Sequence, residues 1–170
     1  MAVTQQLARV PADYLAACRR AAEQSPDGDH RWDPPSADCL DLDWAPRMLE
    51  RACEPTRLDA AHLEALRRAT DGDGGIELDF LNVGPHAIAF FSNSMPTALD
   101  PEAVAQVSAL LGEIDMQGIL QSVRDSGGGS TLGPGFTGDP TEYLLDHFGA
   151  LRGFYAEAAR RGLAVVLWWD

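Results

Sequence analysis

The sequence contains no lysine: its 13 basic residues are all arginine, against 26 aspartates and glutamates in a chain of 170 residues. This absence excludes mechanisms that need an amine from this chain, such as the phosphate contact of a Walker A loop or a Schiff base. The formal net charge is -13 at pH 7. Because so acidic a surface repels phosphates, we expect no nucleic-acid partner.

Cysteine is also scarce, and long hydrophobic runs are absent. Cys18, Cys39 and Cys53 are odd in number and never spaced as C-x-x-C, which disfavours disulfides and a zinc site and favours reduced thiols. The longest apolar run, LAVVLWW at residues 163–169, is far shorter than the roughly 18 residues that cross a bilayer. The N-terminal residues lack the basic start and apolar stretch of a signal peptide. We therefore expect a cytoplasmic protein with no membrane partner.

The glycine-rich stretch SGGGSTLGPGFTG, residues 126–138, has the G-x-G-x-x-G spacing of nucleotide-binding loops at Gly133, Gly135 and Gly138. A dinucleotide-binding fingerprint needs these glycines directly after a buried strand, whereas the preceding residues have the composition of a linker. The next residues, including Asp139 and Glu142, are typical of a helix cap whose amides already face carboxylates. We predict a flexible loop here and no cofactor.

Motifs of metal and hydrolase sites are missing as well. The histidines show no H-E-x-x-H spacing, and the chain has no G-x-S-x-G elbow. The run DGDGGIELD, residues 71–79, begins like a calcium loop with Asp71 and Asp73, but Ile76 stands where the loop needs a turn glycine. We interpret this run as a turn.

A cluster of acidic residues is the remaining candidate site. Asp38, Asp41 and Asp43 lie in the segment DCLDLDW, and three chemically useful residues precede it closely in sequence: His30, Trp32 and Asp33. Carboxylates and imidazoles together bind hard cations or transfer protons. The segment therefore combines the residue types of a metal or acid–base site.

The candidate site consists of Asp41, Asp43 and Trp44, with His86 as the histidine that folding would bring close. The alternative interpretation is structural. In it, Asp41 and Asp43 flank a buried leucine and Asp43 caps the next helix, as neighbouring carboxylates in an acidic chain commonly do. We favour the structural interpretation and assign no catalytic or metal-binding residue.

Hydrophobic periodicity predicts both strands and helices. Strand patterns occur at residues 2–10, 76–83 and 86–92, and the last apolar run is typical of a buried strand. Helical spacing follows Pro11, Asp43, Asp59, Asp100 and Asp115, and extends over the long segment 139–161. The elements do not alternate regularly. We predict a single α+β domain over residues 1–170, with a small mixed or antiparallel sheet of about four strands, helices packed against it, and a long C-terminal helix before the last strand.

Four stretches occur in a characteristic order: AVTQQLARVPADYLAA, LDLDWAPRMLERA, PTALDPEAVAQVSALLGEID and YLLDHFGALRGFYAEAARRGLAVVLWWD. In that order they resemble the YfbM-like family, domain of unknown function 1877, over nearly the whole chain. The resemblance implies a small cytoplasmic bacterial α+β protein with no established activity. The chain departs from the family at Trp44 and Pro46, where relatives tend to have a lysine and then a tryptophan, and in its glycine-rich insertion.

Three hypotheses of function follow. The first is a non-enzymatic acidic module that binds a basic protein, as an inhibitor or immunity-like partner does, because a strong field of one sign speeds encounter with the opposite charge. The second is a small metal-dependent or hydrolytic enzyme that uses the Asp/His cluster. The third is a housekeeping homo-oligomer, such as a homodimer, whose C-terminal strand extends a sheet. We favour the first because the sequence shows no catalytic set.

Overall fold

The computed structural model describes residues 4–25, 32–73, 78, 81, 96–126 and 139–169. These residues form six α-helices and one four-stranded sheet, which confirms the predicted α+β class. In chain order the elements are β1 (Gln5–Val10), α1 (Ala12–Gln24), β2 (Cys39–Asp41), α2 (Ala45–Cys53), α3 (Ala60–Asp71), β3 (Thr97–Leu99), α4 (Pro101–Glu113), α5 (Met116–Asp125), α6 (Pro140–Arg161) and β4 (Ala164–Trp169).

The strands are antiparallel throughout and lie in the order β2-β1-β4-β3. The pairing of β1 with β4 runs from Gln5 opposite Trp169 to Val10 opposite Ala164. The last strand is thus an inner strand, hydrogen-bonded on both sides over part of its length. The homo-oligomer in which this strand extends a sheet stays a prediction.

Alternation along the strands divides the core between the two faces of the sheet. Leu7, Leu99 and Leu167 point to the face that packs against α2, α3, α4 and α6. Ala8 and Val166 point to the opposite face, where Cys18 of α1 and the buried Leu78 and Leu81 cover them. Both faces are covered, so the buried run that we predicted for the last strand is confirmed.

Two strands of the sheet were not predicted from the sequence. Both β2 and β3 are three residues long, too short for period-two alternation to be detected. The predicted strands at 76–83 and 86–92 lie outside the described residues except for Leu78 and Leu81. Neither of these two residues is in a strand, and the Leu81 N–H donates to the Leu78 carbonyl 2.9 Å away, as in a turn.

Helix starts follow the predicted aspartate caps, with one exception. Asp59, Asp100, Asp115 and Asp139 each accept a hydrogen bond from an amide in the first turn of their helices. The exception is Asp43: the N-cap of α2 is the next residue, and no side chain caps that helix. The predicted role of Asp43 as a cap is therefore wrong, and its carboxylate has a different partner.

The long helix is confirmed at both ends, from its Asp139 cap to Gly162, which has the left-handed backbone that ends helices. The predicted glycine-rich loop 126–138 lies outside the described residues apart from Ser126, which ends α5. No helix within the described part of the chain is long and apolar enough to span a membrane.

Candidate functional site

The site begins in the turn between β2 and α2, which the core holds in place. Leu42 is fully buried, and its N–H donates to the Gln5 carbonyl at 2.8 Å. The Gln5 N–H donates in return to the Asp43 carbonyl at 3.2 Å. These bonds fix the main chain on either side of the turn, so its polar side chains start from an ordered backbone.

Asp43 has a left-handed backbone, with a φ of 50°. This conformation is costly for most side chains and is best tolerated by Asn and Asp, whose polar groups bond locally. Here the bond comes from the preceding aspartate, because Asp41 Oδ1 accepts the Asp43 N–H at 2.7 Å. The two carboxylates thus have different tasks: that of Asp41 closes the turn, and that of Asp43 is directed away from its own helix.

Tyr143 of α6 meets the Asp43 carboxylate across the fold. Its hydroxyl donates to Asp43 Oδ2 at 3.0 Å, joining residues that are 100 positions apart. Burial raises the pKa of Tyr143 to about 12, with a further contribution from the hydrogen bond to Asp43. The phenol therefore stays protonated at neutral pH and acts as a fixed donor that holds Asp43 in place.

Trp44 lies beside this bond and is 42% exposed, a large exposed fraction for an indole side chain. On α6, Glu142 and Asp146 are also exposed and lie one and three positions from Tyr143. We call the set Asp41, Asp43, Trp44, Glu142, Tyr143 and Asp146 the acidic corner. It combines an accessible aromatic ring with exposed carboxylates of the turn and of α6, which the Tyr143–Asp43 bond joins.

None of the carboxylates of the acidic corner has an arginine partner. Asp41, Asp43, Glu142 and Asp146 take part in no ion pair within the described part of the chain, and neither does Arg47, which follows Trp44 by three positions. Five acids elsewhere do pair with an arginine: Asp38, Glu50, Glu54, Asp73 and Glu157. The negative charge of the corner is therefore available to an external cation.

The arrangement does not place an imidazole against these carboxylates within the described residues. His147 is the nearby histidine: its ring lies 4.1 Å from that of Tyr143, and its Nδ1 is 2.8 Å from the Tyr143 carbonyl. Tyr143, and not the histidine, contacts Asp43. His86 lies outside the described residues, so its predicted approach stays a prediction. No three His, Cys, Asp or Glu side chains among the described residues are grouped to hold a metal ion.

Asp38 is separated in role from the rest of its sequence cluster. Its carboxylate accepts from Arg9 of β1 at 2.7 Å and from Arg161 at the end of α6 at 2.5 Å. Trp32 packs against the edge of Trp168, with ring centroids 5.9 Å apart. Both residues belong to the packing of the fold. Of the rest of the cluster, His30 lies outside the described residues, Asp33, Asp41 and Trp44 are exposed, and Asp43 is half-buried.

Sequence reasoning missed the contribution of α6 to this site. Tyr143 lies in the predicted helical segment 139–161, whose periodicity indicates packing and no role in a site. The signal that could have drawn attention to it is its neighbourhood, because Glu142 and Asp146 flank a tyrosine whose hydroxyl needs a partner when it is half-buried. The identity of that partner depends on a contact between distant segments.

No protein-family model matches the sequence, and no curated protein matches it. Among solved structures, the chain is similar to the crystal structure of YfbM from Escherichia coli, a protein of unknown function. The two are 14% identical, the TM-score is 0.56, and the similarity covers 98% of this chain and 99% of the other. At this identity the likeness concerns the fold alone. The resemblance inferred from four stretches of sequence is thereby confirmed at that level: this chain has a YfbM-like fold.

Proposed function

We propose that this chain is a protein-binding module and that the acidic corner docks a basic segment of its partner. The observation that carries the proposal is the exposed Trp44, which directly follows Asp43 in a turn whose carboxylates have no arginine partner among the described residues. Tryptophan is enriched among the residues that dominate binding energy at protein interfaces. An indole ring is also the best aromatic partner for a guanidinium or ammonium group.

The carboxylates supply the second element of recognition. Asp41 and Asp43 lie on the turn, and Glu142 and Asp146 lie on the helix that Tyr143 joins to it, so a basic segment at Trp44 meets a surface with negative charges on two elements. The net charge of -13 adds a long-range attraction that increases the rate of encounter with a basic protein. Specificity then rests on the local geometry, and the overall charge governs the association rate.

The corner is also ordered before binding. Two hydrogen bonds hold the turn in one conformation. The Asp43 N–H donates to the Asp41 carboxylate, and the Tyr143 hydroxyl donates to the Asp43 carboxylate. An ordered site loses less conformational entropy when it binds than a mobile one does. A small surface of this kind is therefore able to bind a short basic segment with useful affinity.

The proposal is tested with a blocked peptide of repeating Arg-Gly-Ser units and its Glu-Gly-Ser counterpart, by titration calorimetry at low and at physiological salt. We expect the basic peptide alone to bind, and Trp44→Ala to lower its affinity by roughly tenfold, as loss of an interface anchor does. In NMR spectra the Trp44 indole N–H signal should shift on binding.

A matched pair of double variants separates the corner from the overall charge. Glu142→Gln with Asp146→Asn removes two charges from the corner, and Glu23→Gln with Glu102→Gln removes two from exposed positions on α1 and α4. We expect only the first pair to weaken binding several-fold at low salt. Equal losses from both pairs, or an unchanged affinity in Trp44→Ala, would show that the peptide responds to net charge and would overturn the proposed site.

A further inference from the structure

A groove lies between the loop that joins α2 to α3 and one side of α5. Its walls are residues 55–58 of the loop, Glu113 at the end of α4, and residues 115–126 on and around α5. Its volume is about 820 Å³, within the range of small-molecule sites, roughly 300–1,000 Å³. We call it the α5 groove. It shares no residue with the acidic corner, so it goes beyond the proposed docking function.

The α5 groove has an apolar lining that belongs to the rigid part of the fold. Val123 is buried, and Leu58 and Ile119 are half-buried and pack against the main core while they line the groove. Their positions are therefore set by the core and not by a ligand. Covering apolar surface of this kind is favourable in water. The lining accommodates the apolar body of a ligand.

The hydroxyl groups of the groove already use their protons. The Ser122 hydroxyl donates to the Gly118 carbonyl at 3.0 Å, and the Thr56 hydroxyl donates to the Cys53 carbonyl at 2.6 Å. The Ser126 hydroxyl donates to the Ser122 carbonyl at 2.7 Å. A hydroxyl has one proton to donate and two lone pairs that accept. While these bonds hold, the three hydroxyls offer a ligand acceptors and no donors.

The charged side chains of the groove are mostly negative. Glu113 is 65% exposed, and its Oε2 lies 2.9 Å from His62 Nε2. Asp115 is exposed, and its Oδ1 accepts the Gly118 N–H at 3.0 Å as the cap of α5. Each carboxylate keeps a second oxygen with no hydrogen bond among the described residues. Arg57 is the single cation among the described residues that line the groove.

This lining selects an organic cation over an anion or a metal ion. An anion needs hydrogen-bond donors, and two carboxylates oppose it where Arg57 alone attracts it. A metal ion gains nothing from apolar walls, and no three His, Cys, Asp or Glu side chains are grouped to hold one in the part of the chain that the structure describes. An ammonium group on an apolar body matches both the acceptors and the apolar lining.

We infer that the α5 groove binds a free amphipathic amine in its protonated form. Its ammonium group donates to the carboxylates of Glu113 and Asp115, and its apolar body packs against Leu58 and Ile119. The inference does not depend on the docking function of the acidic corner, because neither Trp44 nor any carboxylate of that corner lines the groove.

The test is an NMR titration of the full chain with 4-phenylbutylammonium, following the backbone amides of Gly118, Ile119 and Ser122. The controls are 4-phenylbutanol, which has no charge, 4-phenylbutanoate, which has the opposite charge, and butylammonium, which lacks the aromatic body. We expect saturable shifts with 4-phenylbutylammonium and at least roughly tenfold weaker binding of each control, as loss of a charged hydrogen bond or of apolar contact produces. A blocked peptide of alternating leucine and arginine tests the groove for a protein segment.

Charge variants give the inference a sign. Asp115→Asn keeps a residue that caps helices well, and Glu113→Gln keeps the shape of its side chain, so the fold should persist. Each should weaken binding of 4-phenylbutylammonium several-fold at low salt. Arg57→Gln removes the opposing cation and should strengthen it, whereas Glu102→Gln, outside the groove, should leave it unchanged.

Four results would overturn the inference. The first is the absence of saturable shifts with 4-phenylbutylammonium, and the second is equal or tighter binding of the alcohol or the carboxylate. The third is weaker binding of the amine in Arg57→Gln, which is the result expected for an anion site. The fourth is tighter binding of the peptide than of the amine, which would assign the groove to a partner protein.

Discussion

Asp38 and Asp43 are five positions apart in sequence, yet they lie in regions with opposite electrostatics. Asp38 holds together three elements, because it bonds Arg9 of β1 and Arg161 of α6 from its place just before β2. Its side chain is 15% exposed. Asp43 has no cation and accepts a neutral tyrosine hydroxyl instead. One short segment thus contains a junction that stabilises the fold and a corner whose charge is available to a partner.

The difference shows where this acidic chain places its few arginines. The ion pairs between arginine and carboxylate join different elements or lie at a helix end. Arg67 of α3 pairs with Glu50 of α2, and Arg68 pairs with Asp73 just after α3. The acidic corner has none of these arginines. Its negative charge therefore contributes little to folding, and we expect the two regions to respond differently to the same kind of substitution.

The largest effect on stability is expected at the Asp38 junction. Asp38→Asn keeps the shape of the side chain but leaves Arg9, which is 14% exposed, without its charged acceptor. We expect the free energy of unfolding to fall by about 1–2 kcal/mol, near the lower end of the range for a hydrogen bond to a charged group because solvent screens part of the interaction. Urea denaturation at pH 7 measures it, with Glu142→Gln as a charge-matched control. A change no larger than that of the control would contradict the structural role of this junction.

The same junction should make stability depend on pH. Hydrogen bonds from Arg161 and then Arg9 lower the pKa of Asp38 in the folded state. A carboxyl with a lowered folded pKa contributes stability above its unfolded pKa and loses it as the pH falls through the folded value. The difference in denaturation midpoint between the native chain and Asp38→Asn should be full above about pH 5 and shrink at lower pH. A difference that stays constant on acidification would rule out this linkage.

At the acidic corner, the backbone of Asp43 should produce an intermediate effect. Asp43→Ala places a methyl group in the left-handed conformation, and Asp43→Gly does not, so the alanine variant should be less stable by about 1 kcal/mol. Both variants remove the acceptor of Tyr143, and its pKa should fall below about 12 by the same amount in each. Thermal unfolding and NMR titration of the tyrosine ring measure these quantities. Equal stability of the two variants would argue against the left-handed turn.

The smallest effect is expected for the exposed carboxylates of the corner. Glu142→Gln with Asp146→Asn should change the free energy of unfolding by no more than about 0.5 kcal/mol, because neither carboxylate has a hydrogen-bond or ion-pair partner among the described residues. Loss of the favourable interaction of Glu142 with the first turn of α6 opposes the relief of repulsion between like charges, so the two effects nearly cancel. A loss comparable to that of Asp38→Asn would mean that the corner also serves the fold.

The amino-acid sequence alone was sufficient for much of the fold. Aspartates before apolar periodic segments marked the starts of α3, α4, α5 and α6, and Gly162 marked the end of the last helix. These signals are local: a cap acts on the amides of its own first turn, and an amphipathic stripe repeats within one segment. The same local reasoning separated the glycine-rich stretch from a dinucleotide fingerprint, since that motif requires a preceding strand.

Only the tertiary structure decided which acids are paired and with which residues. The partner of Asp43 is Tyr143, 100 positions away, and the partner of Asp38 at the end of α6 is 123 positions away. The short strands β2 and β3 likewise exist because β1 and β4 offer them edges to pair with. Local charge, helix caps and hydrophobic periodicity depend on neighbouring residues, whereas a binding surface is formed by segments that meet only after the chain has folded.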